Sequence, residues 1–416
     1  MLRVLVDLTI AWANHHGYDE TTAEGVRHEA ICLNAERYTR LVDIYRGLLG
    51  QDTLDRPITL KTVIDQLMLP CEVFKSYDPA WLDDADFEAL TLWLGRRFFR
   101  EPRISLDGVR DVDAWRDRLR SDHIYLSCSS GTSGSLSFIP RDPVAFYALR
   151  ANGPCSFHRE LPKGVAGIED LACLVLGWKG SATGIQGAAT GLANAARRSH
   201  FLFQEQIRAE DLRQSWRRSS PAELARAHED AMTFVRGAAA AALPVLIFGT
   251  PFELKRACAS AVDSGRRVDL PAGSLVVTGG GWKGEQGISR SDLLDHVERA
   301  FGVSAHDVVD AYSTTESNTV LLTCAEGRYH VPPLVEPVVL DDVLERVEGD
   351  DASGILGLLD PFAVSYPGFL VTGDRVRLVR HPCPCGLSGP TIVGPIERSS
   401  AAEPKGCAGA LASVTG

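Results

Sequence analysis

The run Ser129-Ser130-Gly131-Thr132-Ser133-Gly134 packs hydroxyls and glycines between two apolar stretches, Ile124 to Leu126 and Leu136 to Ile139. Glycines let the backbone turn tightly and approach a ligand closely. Backbone N–H groups and hydroxyls then surround an anion, typically a phosphate chain. No Lys follows the last Gly, so this is not a Walker-type loop. A flexible Ser/Gly linker is the plainer alternative, and the apolar flanks weigh against it.

Further candidates lie downstream. Asp310-Ala-Tyr312-Ser-Thr-Thr315-Glu316 puts hydroxyls and a carboxylate past a strand led by Val308-Val309. Open α/β sheets bind ligands at such ends. Asp374, after Phe369 to Val371, could accept two ribose hydroxyls at once, or could be an ordinary turn Asp. Thr278-Gly-Gly280-Gly281-Trp282-Lys283 offers close backbone approach beside an aromatic plate, with Lys283 able to meet a carboxylate or phosphate. The alternative there is a tight turn with Trp282 in the core. Cys324, His330, Cys383 and Cys385 supply the four N/S donors that a tetrahedral Zn²⁺ takes. Their Cys-x-Cys spacing is tighter than the usual Cys-x₂-Cys, and unpaired buried thiols are the alternative.

These residues need elements to hold them. Residues 28 to 75 carry helix-like patterns through Leu33, Tyr38, Leu41, Ile44 and Leu48. Ser220-Pro221 with Glu223 reads as a capping box opening a helix that runs on to Ala242. Pro244 to Phe248 and Leu275 to Val277 read as buried strands, and Leu293 to Phe301 as an amphipathic helix stopped by Gly302. Helices alternating with short apolar strands indicate an α/β fold with substantial sheet. From Ser399 the chain turns small, polar and Gly/Ala-rich, which reads as a flexible tail. The expected division is a domain over 1–395, mainly helical over 1–120, and a short tail over 396–416.

The chain has 416 residues, 45% apolar, enough for a large core. Its net charge of −11 comes with both signs interspersed, which argues against a nucleic-acid or anionic-membrane partner. No stretch approaches the ~20 apolar residues of a membrane span. Asp7 interrupts the first apolar run and argues against a signal peptide. Ten cysteines, mostly scattered, in a chain that needs no disulfide staples suggest a reducing cytoplasm.

Taken in order, the motifs resemble the adenylate-forming superfamily of acyl-CoA synthetases, peptide-synthetase adenylation domains and firefly luciferase. The string from Ser129 through Ser137-Phe-Ile-Pro-Arg141-Asp142 resembles more specifically its LuxE-type acyl-protein synthetases. So do Leu69-Pro-Cys-Glu-Val-Phe-Lys75, Phe248-Gly-Thr-Pro-Phe252, Thr278 to Lys283, Asp310 to Glu316, Val371 to Asp374 and Lys405-Gly-Cys407. The resemblance implies that superfamily's large α/β N-terminal domain, with mixed sheets packed by helices and the C-terminal domain reduced to a short tail. It implies ATP on the Ser129–Gly134 loop, Thr315 on phosphate, Glu316 on Mg²⁺, Tyr312 near adenine, Asp374 on the ribose, and Gly280 and Gly281 lining the adenine and acyl pockets. It also implies that Cys407 carries the acyl group as a thioester on a mobile tail. A thiolate attacks an activated carbonyl readily, and Lys405 beside it could lower the thiol pKa. The reaction so implied is ATP-dependent activation of a carboxylic acid, then acyl transfer to a thiol and on to a partner such as a reductase or carrier protein. Direct transfer to CoA, a carrier protein or an amine is the alternative, and a non-catalytic homologue a third. One departure stands out: Gly394 is followed by Pro395 where the family has Gly-Arg, with Arg398 the nearest Arg to replace it.

Overall fold

Apolar residues alternating between two faces build the centre of the molecule. In the strand Ala172–Gly180 (β4), Ala172, Leu174 and Leu176 join one buried cluster, while Cys173 and Val175 join another on the opposite face. The same split recurs in Val245–Gly249 (β6) and Leu275–Gly279 (β7), as period-two geometry requires of a strand covered on both sides. The computed structural model describes residues 1–49, 57–129, 136–157, 167–180, 183–210, 220–263, 267–279 and 289–398.

Among them, a 13-stranded mixed sheet forms the frame. One half is parallel, in the order Arg198–Gln206 (β5), β4, β6, β7 and Val308–Tyr312 (β8). Leu321–Thr323 (β9) then pairs antiparallel with β8 and opens an antiparallel half. That half continues through Tyr329–His330 (β10), Thr391–Ile392 (β14), Phe369–Val379 (β13), Asp351–Leu359 (β12) and Glu336–Leu340 (β11). Leu69–Pro70 (β1) and Glu397–Arg398 (β15) also pair with β13. A separate hairpin joins Tyr125–Ser129 (β2) to Ser137–Arg141 (β3).

Helices cover the parallel half on both faces. Pro221–Ala240 (α8), Pro251–Asp263 (α9) and Arg290–Phe301 (α10) lie on one side, and Gly184–Ala195 (α7) on the other. Before β2 come Leu2–Ala13 (α1), Glu20–Leu41 (α2), Leu60–Gln66 (α3), Phe87–Gly95 (α4) and Val112–Ser121 (α5). Pro143–Cys155 (α6) follows β3. The largest core gathers the helical start of the chain, the β2–β3 hairpin and one face of β11–β13.

The α/β expectation with mixed sheet holds. The capping box on α8 forms, with Ser220 and Glu223 exchanging hydrogen bonds. That helix stops at Ala240, two residues short of the reading, and Ala242 takes φ 51°. Gly302 ends α10 at φ +66°, the left-handed stop that glycine favours. The helical pattern over 28–75 breaks up more than its apolar spacing suggests. Ile44 lies in a 3₁₀ turn, and Leu69 pairs with Leu370 of β13. Pro70 disfavours the helical region for Leu69, so the segment extends. No described helix is long and apolar enough to cross a membrane.

Candidate active site

The candidate site gathers where the parallel strands end. Thr278 is the last residue but one of β7, and its Oγ1 donates to Asp310 Oδ1 on β8 at 2.6 Å. Tyr329 OH donates to Asp310 Oδ2 at 2.7 Å. Asp310 is thus held from β7 and from β10. Two residues on, Tyr312 OH donates to Asp374 Oδ2 at 2.8 Å, joining the parallel and antiparallel halves. Burial, reinforced by the Asp374 carboxylate, keeps the Tyr312 phenol protonated.

Asp374 does not follow a strand end, as its spacing suggests. It sits inside the 11-residue β13. There Thr372, Gly373 and Asp374 face the single residue Leu356 of β12, between the pairs Gly357–Val371 and Ile355–Arg375. Gly373 takes φ +73° at this bulge, and Thr372 Oγ1 donates to Leu356 O at 2.9 Å. Bulges re-aim side chains in this way. The register also sets Arg398 of β15 opposite Asp374.

After β8 the chain forms the loop Ser313–Val320. Glu316 is buried within it, at 8% exposure. Burial pushes its carboxyl up, while Arg141 and a hydrogen bond from Thr314 act the other way. A desolvated carboxylate of this kind suits a hard divalent cation, which restores the missing charge balance. Thr315 touches the start of α7. A Cβ added at Gly184 would lie 3.0 Å from Thr315 Cα, so only glycine fits there without a shift. Thr183, next to it, bridges to Cys128 of β2. The end of β2, the first turn of α7 and Thr315–Glu316 therefore meet.

Ser129 ends β2, pairing with Ser137. Ser130, Gly131, Thr132, Ser133 and Gly134 lie outside the described residues, as do Gly280, Gly281, Lys283 and Cys407. The structure thus brings together Ser129, Tyr312, Thr315, Glu316 and Asp374 on adjoining elements. Arg141, Asn318, Asp360 and Tyr366 also crowd against the Glu316 loop. Sequence reading passed them over, apart from Arg141 as part of a motif string, because they come from three separate segments.

The cysteine/histidine set converges on its own. Cys324 follows β9, His330 lies on β10, and Cys383 and Cys385 lie in the turn between β13 and β14. All four ligand atoms are within 4.8 Å of one another. Cys324 and Cys383 Sγ are 3.8 Å apart, and Cys385 Sγ is 3.3 Å from His330 Nε2. A tetrahedron with Zn–S of ~2.3 Å has S–S edges of ~3.8 Å, so this donor set fits a zinc ion. Two hairpin-like turns place it: Gly327 N donates to Cys324 O, and Gly386 N to Cys383 O. Burial above all pushes the Cys383 and Cys385 thiols up; a bound divalent cation reverses that by favouring thiolates. Trp12 of α1 packs beside His330, with ring centroids 6.2 Å apart, and its Nε1 donates to Ser388 O at 2.8 Å.

The chain is similar to several known proteins. A family model described as acyl-protein synthetase, LuxE, matches residues 219–415. The "Long-chain-fatty-acid--luciferin-component ligase" of Vibrio harveyi is 29% identical over 167 residues, 39% of this chain and 43% of that protein. The match thus spans less than half of the relative's length. Among solved structures, 2-hydroxyisobutyryl-CoA ligase with 2-HIB-AMP and CoA aligns at 15% identity and a TM-score of 0.48, over 88% of this chain and 72% of that one. A long-chain-fatty-acid-CoA ligase from Archaeoglobus fulgidus aligns at 11% identity and a TM-score of 0.43, over 66% and 51%. Over residues 219–415 the chain is thus similar to the acyl-protein synthetase, LuxE, family model, and over part of its length to the Vibrio harveyi ligase.

Proposed function

We propose that this chain activates a carboxylic acid with ATP and passes the acyl group to a thiol. In the first step a carboxylate oxygen attacks the α-phosphorus of ATP. The bond from that phosphorus to the bridging oxygen breaks, leaving an acyl-adenylate and pyrophosphate. In the second, a thiolate attacks the acyl carbon and AMP leaves. Cys407 is the proposed thiol, and a partner protein the final acceptor.

The observation that carries this reading is the junction beyond β8. There the buried Glu316, Thr315, the first turn of α7 and the end of β2 adjoin one another. In this reading Ser129–Gly134 cradles the phosphates through backbone N–H groups and hydroxyls. Thr315 adds a hydroxyl. Asp374, with one oxygen held by Tyr312, takes the ribose hydroxyls on its remaining lone pairs. Glu316 and the nucleotide would together hold Mg²⁺, which when bound offsets the polyphosphate charge. Gly280 and Gly281 would line the adenine and acyl pockets, and Lys283 would meet a carboxylate or phosphate. The Cys324/His330/Cys383/Cys385 set would hold a structural zinc.

The relative's name specifies a long-chain fatty acid, so such acids head the panel to be tested. The experiment is ATP–pyrophosphate exchange across acids of varied chain length and ring content. Wild type should exchange with at least one acid. Glu316→Gln should lose roughly 10²-fold or more, the scale of one lost electrostatic contact to the reacting phosphates, with an unchanged melting temperature. Wild-type-like exchange in Glu316→Gln removes the assignment of that residue. No exchange by wild type with any acid removes the reading.

A further inference from the structure

The loop that carries Glu316 owes its shape to neighbours from elsewhere in the chain. Three successive carbonyls, of Thr315, Glu316 and Ser317, are each held by a buried side chain. Arg141 Nη2 donates to Thr315 O at 2.6 Å and to Ser317 O at 3.4 Å. Tyr366 OH donates to Glu316 O at 2.8 Å. On its amide side the loop is held by Asp360. Its Oδ2 accepts from Asn318 N at 2.6 Å and from Asn318 Nδ2 at 3.1 Å, while Oδ1 accepts from Phe362 N at 2.8 Å.

Asn318 ties the two sides together. Its Oδ1 accepts from Arg141 Nε at 2.9 Å, and its Nδ2 donates to Tyr366 OH at 2.9 Å. The Arg141 guanidinium lies over the Tyr366 ring, 5.2 Å from its centre. The exposures of Arg141, Asn318, Asp360 and Tyr366 are 0%, 1%, 1% and 0%. None of them can touch a substrate.

Arg141 Nη1 is itself buried without a hydrogen-bond partner among the described residues. An unmatched buried donor costs stability. The fork is therefore aimed at the loop carbonyls rather than at its own full satisfaction. Arg141 ends β3, while Asp360 and Tyr366 lie between β12 and β13. Two separate parts of the fold thus hold one short loop.

We propose that Arg141, Asn318, Asp360 and Tyr366 form a positioning unit that presets the Thr315–Glu316 backbone for adenylation, a role that rests on the reading above. The unit acts through the loop and contacts no reacting atom. Holding catalytic groups in place before substrate arrives removes a reorganisation cost from the reaction step.

The test uses Tyr366→Phe, which deletes one hydroxyl, and Arg141→Lys, which keeps the charge but not the fork. Hydrogen exchange of the nucleotide-free protein reads the loop directly. Amides over 315–319 should exchange about tenfold faster in each variant, the ratio expected for one lost hydrogen bond. ATP–pyrophosphate exchange at saturating substrates should fall roughly 10- to 100-fold. ATP affinity measured by calorimetry should stay within about threefold, since Ser129–Gly134 and Asp374, the other phosphate and ribose contacts of that reading, lie outside this loop. The double variant should be little worse than the more severe single one, as expected for residues acting as a unit. Unchanged loop protection in Tyr366→Phe overturns the proposal, and so does a loosened loop with wild-type exchange. If wild type activates no acid, the adenylation reading fails, and the hydrogen-exchange arm still decides whether these residues order the loop.

Discussion

Removing the charge on Glu336 should cost the fold about 3 kcal/mol at neutral pH, and that cost should vanish in acid. Glu336 opens β11 and is 5% exposed. Its Oε2 accepts from Arg27 Nε at 2.8 Å and lies 2.6 Å from Arg27 Nη2 and 3.3 Å from His28 Nε2, both residues on α2. Arg380 Nη2 lies 3.8 Å from Oε1. Burial alone pushes the carboxyl up; the His28 hydrogen bond, the fields of Arg27 and His28, and the Arg27 hydrogen bond outweigh it and hold the pKa at about 2, against 4.5. At ~1.4 kcal/mol per pH unit, that gap is worth about 3 kcal/mol. The folded pKa is depressed, so the contribution is complete above about 4.5 and is lost as pH falls from there towards 2. Glu336→Gln should therefore be less stable than wild type by about 3 kcal/mol at pH 7, within the 3–5 kcal/mol range for a broken buried pair. The difference should shrink by about 1.4 kcal/mol per pH unit below 4.5. Urea unfolding followed by tryptophan fluorescence, from pH 7 to pH 3.5, measures both. A difference under about 1 kcal/mol at pH 7, the scale of an exposed ion pair, would refute the reasoning. So would a difference that stays constant with pH.

Three further outcomes are expected. Metal analysis of purified protein should give about one zinc per chain, and Cys385→Ser should bring it near zero with a lower melting temperature; equal metal content in the two proteins rejects the site. Gly191→Ala should destabilise by roughly 2–3 kcal/mol, because the new Cβ would overlap the Arg150 carbonyl of α6. Gly237→Ala on α8, which meets nothing within 4 Å, should stabilise by up to about 1 kcal/mol, and thermal melts that fail to separate the two variants contradict the packing. Given ATP and its acid, the protein should acquire an acyl label that neutral hydroxylamine removes and that Cys407→Ser lacks while retaining pyrophosphate exchange. Full acyl transfer to CoA, a carrier protein or an amine by Cys407→Ser would exclude the carrier role.

Local chemistry is where the sequence was most legible. Ser220, Pro221 and Glu223 form the capping box that their spacing implies, because a cap uses residues three apart and needs no tertiary partner. The runs over 244–248 and 275–277 lie in strands because three to five apolar residues in a row put buried groups on both faces. Cys324, His330, Cys383 and Cys385 were legible by donor type alone. What brings them together is the pairing of β10 with β9 and β14, which spacing does not reveal. Their unusual Cys-x-Cys interval is accommodated by a turn in which Gly386 takes φ +86°.

What sequence patterns did not reveal are interactions between segments far apart in the chain. Asp374 reads as a carboxylate just past a strand that ends at Val371, yet β12 keeps pairing with β13 on both sides of the bulge. The glycine marks an irregularity inside a strand rather than its end. Arg141 is harder still. A lone Arg after a strand carries no periodicity, and its partners lie 174 to 177 positions on. Buried polar networks of this kind follow from three-dimensional satisfaction of donors and acceptors, and hydrophobic patterning is blind to them. The motif residues of the site announce themselves by type. The residues that fix their geometry are apolar-looking tyrosines and scattered polar groups, and they become visible only when each loop carbonyl is asked which group holds it.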